Sequence, residues 1–395
     1  MRTVLVTGPG GGGAGTVAAA TALAAARSGR RTLLITGTAV PGFPATPEPA
    51  PAAEHLDHVV TDSGAHLRDE LLALQERASG VLDLLGAGRL DAEEMTGLPG
   101  GDRFALLHCL HRAAVGDWAG YDTLVVALPP LPDAVALLAL PAHLRRLLRR
   151  LLPEERLAAR ALRPVLAQLA GVPAPARWLY DAAARKDAEL AAVQGLLADR
   201  ATTVRLVAEP GPAADDDLRD ARTGLALHGV TVDALLAARV LPRHSADPWF
   251  AALAAGQGKS LDRWRTEWTG TPLHEVPHLG RDPRTPDDLE LLGVPAPDDR
   301  EPGPAGPPWW IEESGPDAAG SPGGPVWCLP LPGAVKADLR LVRRGDELLL
   351  TAGRHHRAVT LESGLRRCTV SGAALTDGVL RVRFTPDPAL WPRTP

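Results

Sequence analysis

The first half of the chain alternates short apolar runs with longer stretches rich in Ala and Leu. Residues 3–6, 32–36 and 123–127 are runs of about five residues, β-branched or apolar, each followed by Gly or Pro and then by a helical pattern. Residues 203–207 and 232–240 fit as later strands, and Pro210 and Pro242 follow their ends. This alternation predicts a parallel sheet with crossover helices, an α/β fold.

Two stretches, residues 67–115 and 141–199, are helical in pattern and contain no strand candidate. The second includes five leucines at i, i+3, i+4, i+7 and i+8, with four arginines on the opposite side: Leu144, Leu147, Leu148, Leu151 and Leu152 against Arg145, Arg146, Arg149 and Arg150. The plain interpretation is a surface helix whose Leu stripe packs on a core. An exposed groove for an apolar client or partner protein, and binding at a membrane surface, stay open as alternatives.

The pattern changes after residue 294. Residues 295–325 are too broken by Pro and Gly for a helix or a central strand, so we expect a linker, with Trp309 and Trp310 docked on a neighbouring domain. Beyond it the period becomes two, and five short strands predict a small all-β sandwich over residues 326–395: KADLRLVRR, ELLLTA, RAVTL, RRCTVSG and GVLRVRF. Residues 1–294 form the predicted α/β domain.

Composition narrows the classes of function. A chain of 395 residues with a net charge of -5 is a poor candidate for nucleic-acid binding, which depends on clustered basic residues. Three separated cysteines form neither a disulfide framework nor a zinc site. No stretch has the apolar core of a signal peptide or the roughly 18 apolar residues of a membrane span, so we expect a cytoplasmic protein.

A glycine-rich loop between the first strand and the first helix is the candidate site. Five of the six residues 8–13 are Gly, in the position where backbone N–H groups and a helix N-terminus bind phosphate. Gly8 and Gly13 have the spacing of the Walker pattern, but Ala14 stands where its Lys belongs and Gly15 where its Ser or Thr belongs. The first Lys of the chain is Lys186.

These residues resemble the deviant P-loop of the ArsA family, which includes the arsenite-efflux ATPase and the ATPase that delivers tail-anchored membrane proteins. The family typically reads GKGGVGKTTVAAATA, and here residues 8–22 read GPGGGGAGTVAAATA. Pro9 replaces the family's signature Lys, Ala14 the Walker Lys and Gly15 the magnesium ligand, whereas Thr16 is kept. The resemblance implies a P-loop NTPase fold with a helical subdomain.

The resemblance continues along the chain around further substitutions. Residues 38–42 stand at the family's DPAHS motif, Ala127 at its conserved Asp, and residues 131–132 at its Thr-Gly. Ala238 stands where the family has the Asn that reads adenine. The terminal segments DGVLRVRF and PDPALWP are similar to the small heat-shock, or α-crystallin-like, domain appended to bacterial members.

Phosphoryl transfer needs the cations and the carboxylate that these substitutions remove, so we expect no catalytic residue, no metal site and no cofactor. The glycine nest keeps N–H groups, and weak ATP binding without a normal magnesium site remains an alternative, with Arg30 or Arg31 in place of the Lys. The residual phosphate loop is predicted to comprise Gly8, Gly10, Gly11, Gly13 and Thr16.

Three functions follow from the residues and the resemblance. The first is a catalytically degenerate ArsA-like protein acting as a partner-binding or regulatory subunit, in a homodimer or with an intact paralogue, since family members dimerise through the nucleotide face. The second is a weak ATPase or nucleotide sensor. The third is a chaperone-like holdase with apolar clients at the Leu stripe.

Other residues of catalytic type are given structural roles. Asp133 is predicted to cap a helix, and residues 256–260, which look like half a P-loop, are assigned to a helix or loop surface. His55, His58, His108, Cys109 and His111 have the side chains of metal ligands but form no second cluster at metal spacing, so we expect packed or solvated side chains.

Overall fold

The computed structural model describes residues 1–62, 64–77, 79, 83, 88–95, 100–152, 177–315 and 323–387. Its centre is a sheet of eight strands in the order β3-β4-β2-β5-β1-β6-β7-β8, in which neighbouring strands are parallel except for β3 on β4. The strands are β1 Arg2–Thr7, β2 Thr32–Thr36, β3 Ala50–Ala53, β4 Leu56–Val60, β5 Thr123–Ala127, β6 Thr202–Ala208, β7 Val232–Val240 and β8 Leu273–Pro277.

Helices cover both faces of this sheet. They are α1 Ala14–Arg27, α2 Ala65–Arg77, α3 Gly101–Val115, α4 Asp133–Leu151, α5 Arg177–Leu197, α6 Pro212–His228, α7 Pro248–Glu267 and α8 Pro286–Glu290. Because side chains alternate along a strand, Leu5 packs in a core with α3 to α7, whereas Val4 and Val6 pack on the other face with α1 and α8. This architecture confirms the predicted P-loop NTPase-like α/β fold.

The five strands predicted from apolar runs are all present. The three that were not predicted, β3, β4 and β8, are short and placed by pairing with a neighbour, β3 with the weakly β-forming sequence APAA. The predicted helical stretches contain α2, α3, α5 and the end of α4, but much of residues 78–99 and all of 153–176 lie outside the described residues.

The C-terminal part is a sandwich of two antiparallel sheets, as predicted. Its elements are β9 Trp310–Ser314, β10 Gly324–Pro330, β11 Leu339–Arg344, β12 Glu347–Ala352, β13 His355–Thr360, α9 Ser363–Arg366, β14 Cys368–Thr376 and β15 Val379–Pro386. One sheet has the order β14-β15-β10-β9 and the other β11-β12-β13. Trp327, Leu348 and Phe384 are fully buried between them.

The segment predicted to be a linker has two structural roles. Residues 310–314 form β9, an edge strand on β10, which suits a Pro-rich neighbourhood because an edge strand needs few paired N–H groups. Trp309 docks on the sandwich, with its ring centroid 5.8 Å from that of Trp327, whereas Trp310 is 39% exposed. The predicted docking therefore holds for Trp309 alone.

The earlier part of the same segment is fastened along the first domain. Arg2 pairs with Asp298 at 3.0 Å, and Arg205 donates to the carbonyl of Pro295 at 2.8 Å. Both arginines also reach the buried carboxylate of Asp233, at 3.3 and 3.1 Å. A buried ionic cluster thus anchors the connection between the two domains beside β1, β6 and β7.

Among the described residues, no helix is long and apolar enough to cross a membrane.

Candidate functional site: the glycine-rich loop and its cleft

The loop that joins β1 to α1 has a backbone that glycine permits. Gly10, Gly11 and Gly13 have φ values of 105°, 73° and 77°, in the left-handed region that other residues adopt at a cost. At Gly8 the constraint is contact, because a Cβ atom there would lie 1.8 Å from the carbonyl oxygen of Val207 in β6. The glycine run therefore shapes a tight turn pressed against the sheet.

The loop delivers the N-terminus of α1 to the carboxyl edge of the sheet. Gly13 is the N-cap and its backbone carbonyl accepts the first helical hydrogen bond, from Val17 N at 2.9 Å. The N–H groups of the residues between them have no helical acceptor, and no acidic side chain lies in the first turn. Such a terminus carries partial positive charge and suits an anion.

Three segments meet at this terminus. They line a cleft of about 470 Å³: the loop itself, residues 36–41 after β2, and residues 127–130 after β5. Short bonds hold the walls together, since Leu131 N donates to Gly8 O at 2.9 Å and the Thr7 hydroxyl to Pro129 O at 2.7 Å. The structure thus brings together the predicted residues: Gly8, Gly10, Gly11, Gly13 and Thr16.

The cleft offers little positive charge from side chains. Among the described residues that line it, the charged ones are Asp102 and Arg103, at the start of α3. Arg103 Nη2 is engaged by Asp133 Oδ1 at 2.9 Å. Sequence reasoning missed Arg103, although a charged pair directly after Gly100 and Gly101 marks a helix start.

Two sequence assignments need correction here. Asp133 is not the N-cap of α4, because Pro132 holds that position and Asp133 sits in the first turn, turned towards Arg103. Arg30 and Arg31 do not replace the missing Lys, since they follow the C-terminal end of α1, roughly 20 Å of helix away from the loop. Arg30 pairs there with Asp299.

A buried histidine supports the wall after β2. His58, in β4, is fully buried, with Nε2 2.8 Å from the Thr36 hydroxyl oxygen and Nδ1 2.7 Å from the carbonyl oxygen of Pro44. Burial lowers the pKa of His58, so the ring is neutral at neutral pH. The ring of His58 therefore has a structural role, because it connects Thr36 to Pro44 and so supports residues 36–44. His108 also packs, stacked on His66 with ring centroids 3.9 Å apart.

The end of β7 lies beside the loop, and it carries Ala238, the position at which the resemblance leads us to expect an adenine-reading Asn. Ala238 is buried in β7, and the next residue, Arg239, has a left-handed φ of 55°. Gln257 holds this strand end, since its Nε2 donates to Arg239 O at 3.1 Å and its Oε1 accepts from Leu241 N at 2.9 Å. Residues 256–260 lie within α7, as predicted, but Gln257 and Ser260 are buried rather than on its surface.

The Leu stripe divides between core and surface. Leu144 and Leu148 pack against the main core, whereas Leu147 is 52% and Leu151 66% exposed, and Leu152 is the C-cap of α4. The first four line an apolar cavity of about 220 Å³ between α2, α3, α4 and α5. The prediction of a stripe on a core thus holds for Leu144 and Leu148, two of its five leucines.

Two family models match the two parts of the chain described above. Residues 1–292 match the family model of the anion-transporting ATPase ArsA, and residues 322–384 match the HSP20-like domain found in ArsA. The chain belongs to the ArsA family. This ArsA-type chain is 54% identical over 402 aligned positions to the uncharacterized protein SCO2128 of Streptomyces coelicolor, covering all of both chains.

Two more distant relatives show how far the ArsA-type resemblance extends. Protein Rv2184c of Mycobacterium tuberculosis is 29% identical, covering 99% of this chain and 97% of its own. The putative arsenical pump-driving ATPase 1 of Aquifex aeolicus is 24% identical over 294 residues, 71% of each chain. The predicted family membership, with its C-terminal domain, is confirmed.

Proposed function

We propose that this ArsA-type chain is a catalytically degenerate ATPase homologue that acts in the cytoplasm as a partner-binding or regulatory subunit. The observation that carries the proposal is a cleft with the family's loop geometry and no unpaired cation from its described lining. The shape of the loop is compatible with an interface to a partner protein, and the lack of an unpaired cation in that described lining argues against ATP hydrolysis. The partner is an intact ArsA-type paralogue or a second copy of this chain.

The physical argument concerns charge. The terminal phosphate groups of ATP gain charge in the transition state, which Lys and Mg²⁺ offset in P-loop enzymes. Here Ala14, Gly15 and Ala127 supply neither an ammonium, a metal-binding hydroxyl nor a carboxylate. What remains is the end of α1, whose effect is worth about 0.3 to 1 kcal/mol at an exposed site.

The test is ATP hydrolysis and thermal unfolding of the purified chain, with and without millimolar Mg-ATP. We expect no hydrolysis and no magnesium-dependent rise in unfolding temperature. A ligand at 100 times its Kd adds about 2.7 kcal/mol to the native state, so binding at that level is detectable. A reproducible Mg-dependent shift would instead establish the weak ATPase or nucleotide sensor.

Partner binding is tested by co-purification with an intact paralogue. Thr38 is exposed beside the cleft, and Thr38→Arg should abolish the complex if this face is the interface. Thr369→Arg is the matched control, because Thr369 is an exposed Thr on the sandwich. A complex that survives Thr38→Arg, or that never forms, contradicts the proposal.

Binding of apolar clients is a second candidate, supported by the exposure of Leu147 and Leu151 beside the apolar cavity. Binding of an apolar dye to the native chain should fall with Leu147→Glu and Leu151→Glu. Leu291→Glu is the control, since Leu291 is 64% exposed elsewhere. Equal dye binding by all variants would remove this function from the Leu stripe.

A further inference from the structure

A second cavity lies where the two domains and their connection meet. It has a volume of about 280 Å³, and its walls come from α4, α5, the end of α6, residues 305–308 and β13. Each wall belongs to a different part of the chain, so any molecule bound here contacts both domains at once.

The charges around this cavity have one sign. Arg146 and Arg357 line it, together with His143 and His228, and no Asp or Glu occurs among its described lining residues. Arg146 pairs with Glu347 outside the cavity through Nε and Nη2, at 3.0 and 2.7 Å. Among the residues that the structure describes, Nη1 of Arg146 has no hydrogen-bond acceptor.

Arg357 is the more unusual of the two arginines. Within the part of the chain that the structure describes, it makes no ion pair: Nη1 donates to Leu227 O at 2.5 Å, and the guanidinium lies 4.9 Å from the ring centroid of Trp309. Burial lowers the pKa of Arg357 to about 10. The cation is thus desolvated without a carboxylate to offset it.

His228 reports the same electrostatic environment. Desolvation first, and then Arg357, His143 and His355, lower the pKa of His228 to about 3. The ring is therefore neutral at pH 7. Two acidic groups near these elements are engaged elsewhere, since Glu347 pairs with Arg146 and Arg150, and Asp220 with Arg354 and His355.

We propose that this interdomain cavity binds a small organic anion through its phosphate or carboxylate group, held by Arg357 and Arg146. A guanidinium group can donate two parallel hydrogen bonds to a phosphate or to a carboxylate. The negative charge of a bound anion also offsets the partly buried positive charge of Arg357. Leu138, Leu197 and Pro307 supply an apolar wall for the body of the molecule. A molecule bound in this cavity contacts both the ArsA-type domain and the HSP20-like domain, and thus links them.

The test is calorimetric titration at constant ionic strength with three probes: phenyl phosphate, benzoate and inorganic phosphate. We expect saturable binding of phenyl phosphate or benzoate, and the stronger of the two identifies the oxyanion. Arg357→Gln should weaken that binding at least tenfold. The matched control is Arg354→Gln, because Arg354 is an exposed neighbour paired with Asp220, and its Kd should equal that of the wild type.

Two results overturn the proposal. One is no binding of any probe to the wild-type chain at millimolar concentration. The other is binding that persists in Arg357→Gln, which would place the anion at the glycine-rich loop and leave Arg357 as a tether for the end of α6. Arg357→Lys keeps the charge but loses the fork, so a folded Lys variant with intermediate affinity supports the site if Arg357→Gln does not fold.

Discussion

Restoring two side chains should return nucleotide binding to the glycine-rich loop. The change is Ala14→Lys with Gly15→Thr, at the first two positions of α1. Gly15 has an ordinary φ, and a Cβ added there would meet nothing within 4 Å, so the hydroxyl can be introduced without strain. Ala14 and Gly15 both line the cleft, and their new groups would point towards a bound phosphate.

The size of the gain follows from the bonds added. A hydrogen bond to a charged group contributes about 1.5 to 3 kcal/mol, so two such bonds from the introduced ammonium to phosphate oxygens give about 3 to 6 kcal/mol, and the introduced hydroxyl restores a ligand for the metal. At about 1.4 kcal/mol per factor of ten, Mg-ATP should bind two to four powers of ten more tightly. Hydrolysis should stay absent, because the position of the conserved carboxylate is still Ala127.

The assay is equilibrium binding of Mg-ATP to the wild type, the two single variants and the double variant. Ala14→Met is the control for side-chain length without charge. The reasoning is refuted if the double variant binds no better than the wild type, or if Ala14→Met gains as much as Ala14→Lys. The first result would mean that the cleft is closed to nucleotide for reasons other than charge, and the second that the length of the side chain rather than its charge produces the gain.

Three further predictions concern stability, measured by denaturant unfolding. Gly8→Ala should cost at least about 3 kcal/mol because its Cβ meets the backbone of β6, whereas Gly15→Ala should cost almost nothing. Asp233→Asn should cost about 3 to 5 kcal/mol, because it removes the buried carboxylate charge that Arg2 and Arg205 share. Asp262→Asn, at an exposed ion pair, should cost at most about 1 kcal/mol. The pKa of His228 is lowered to about 3, so its ring stays neutral in the native state and the free energy of unfolding falls as the pH drops from about 6.5 towards 3. His228→Gln removes this titration, and the slope of the free energy of unfolding against pH should become shallower by up to about 1.4 kcal/mol per pH unit. Equal losses of stability for Gly8→Ala and Gly15→Ala, or for Asp233→Asn and Asp262→Asn, would contradict the first two predictions. Parallel pH profiles of the wild type and His228→Gln would contradict the third.

The positions of the central strands along the chain were accessible from the sequence because their residues carry the signal themselves, whereas their order in the sheet was not. The runs at residues 32–36 and 123–127 contain only β-branched or apolar residues and are followed by Gly or Pro, and both proved to be strands over those positions. The edge strand β3 and the neighbouring β4 carry no such signal. Pairing with β2 and the buried bond network of His58 place β4, and these contacts are distant along the chain.

The glycine-rich loop was equally readable, since its residues are contiguous and their function depends on the backbone. The pairing of Arg103 with Asp133 was not, because these residues are 30 positions apart and lie on different helices. The interdomain cavity is still harder to predict from the sequence. It combines residues from five separate segments, so only the folded chain shows that Arg146 and Arg357 face the same space.

The central position of β1 has a consequence for how the chain is made. β1 pairs with β5 and β6, so after its own synthesis it waits for residues 123–127 and then 202–208. At about 5 to 20 residues per second, the second wait lasts about 10 to 40 seconds. The apolar strand has two unpaired edges until residues 123–127 emerge and one until residues 202–208 emerge, so this topology leaves a strand edge accessible to chaperones during synthesis.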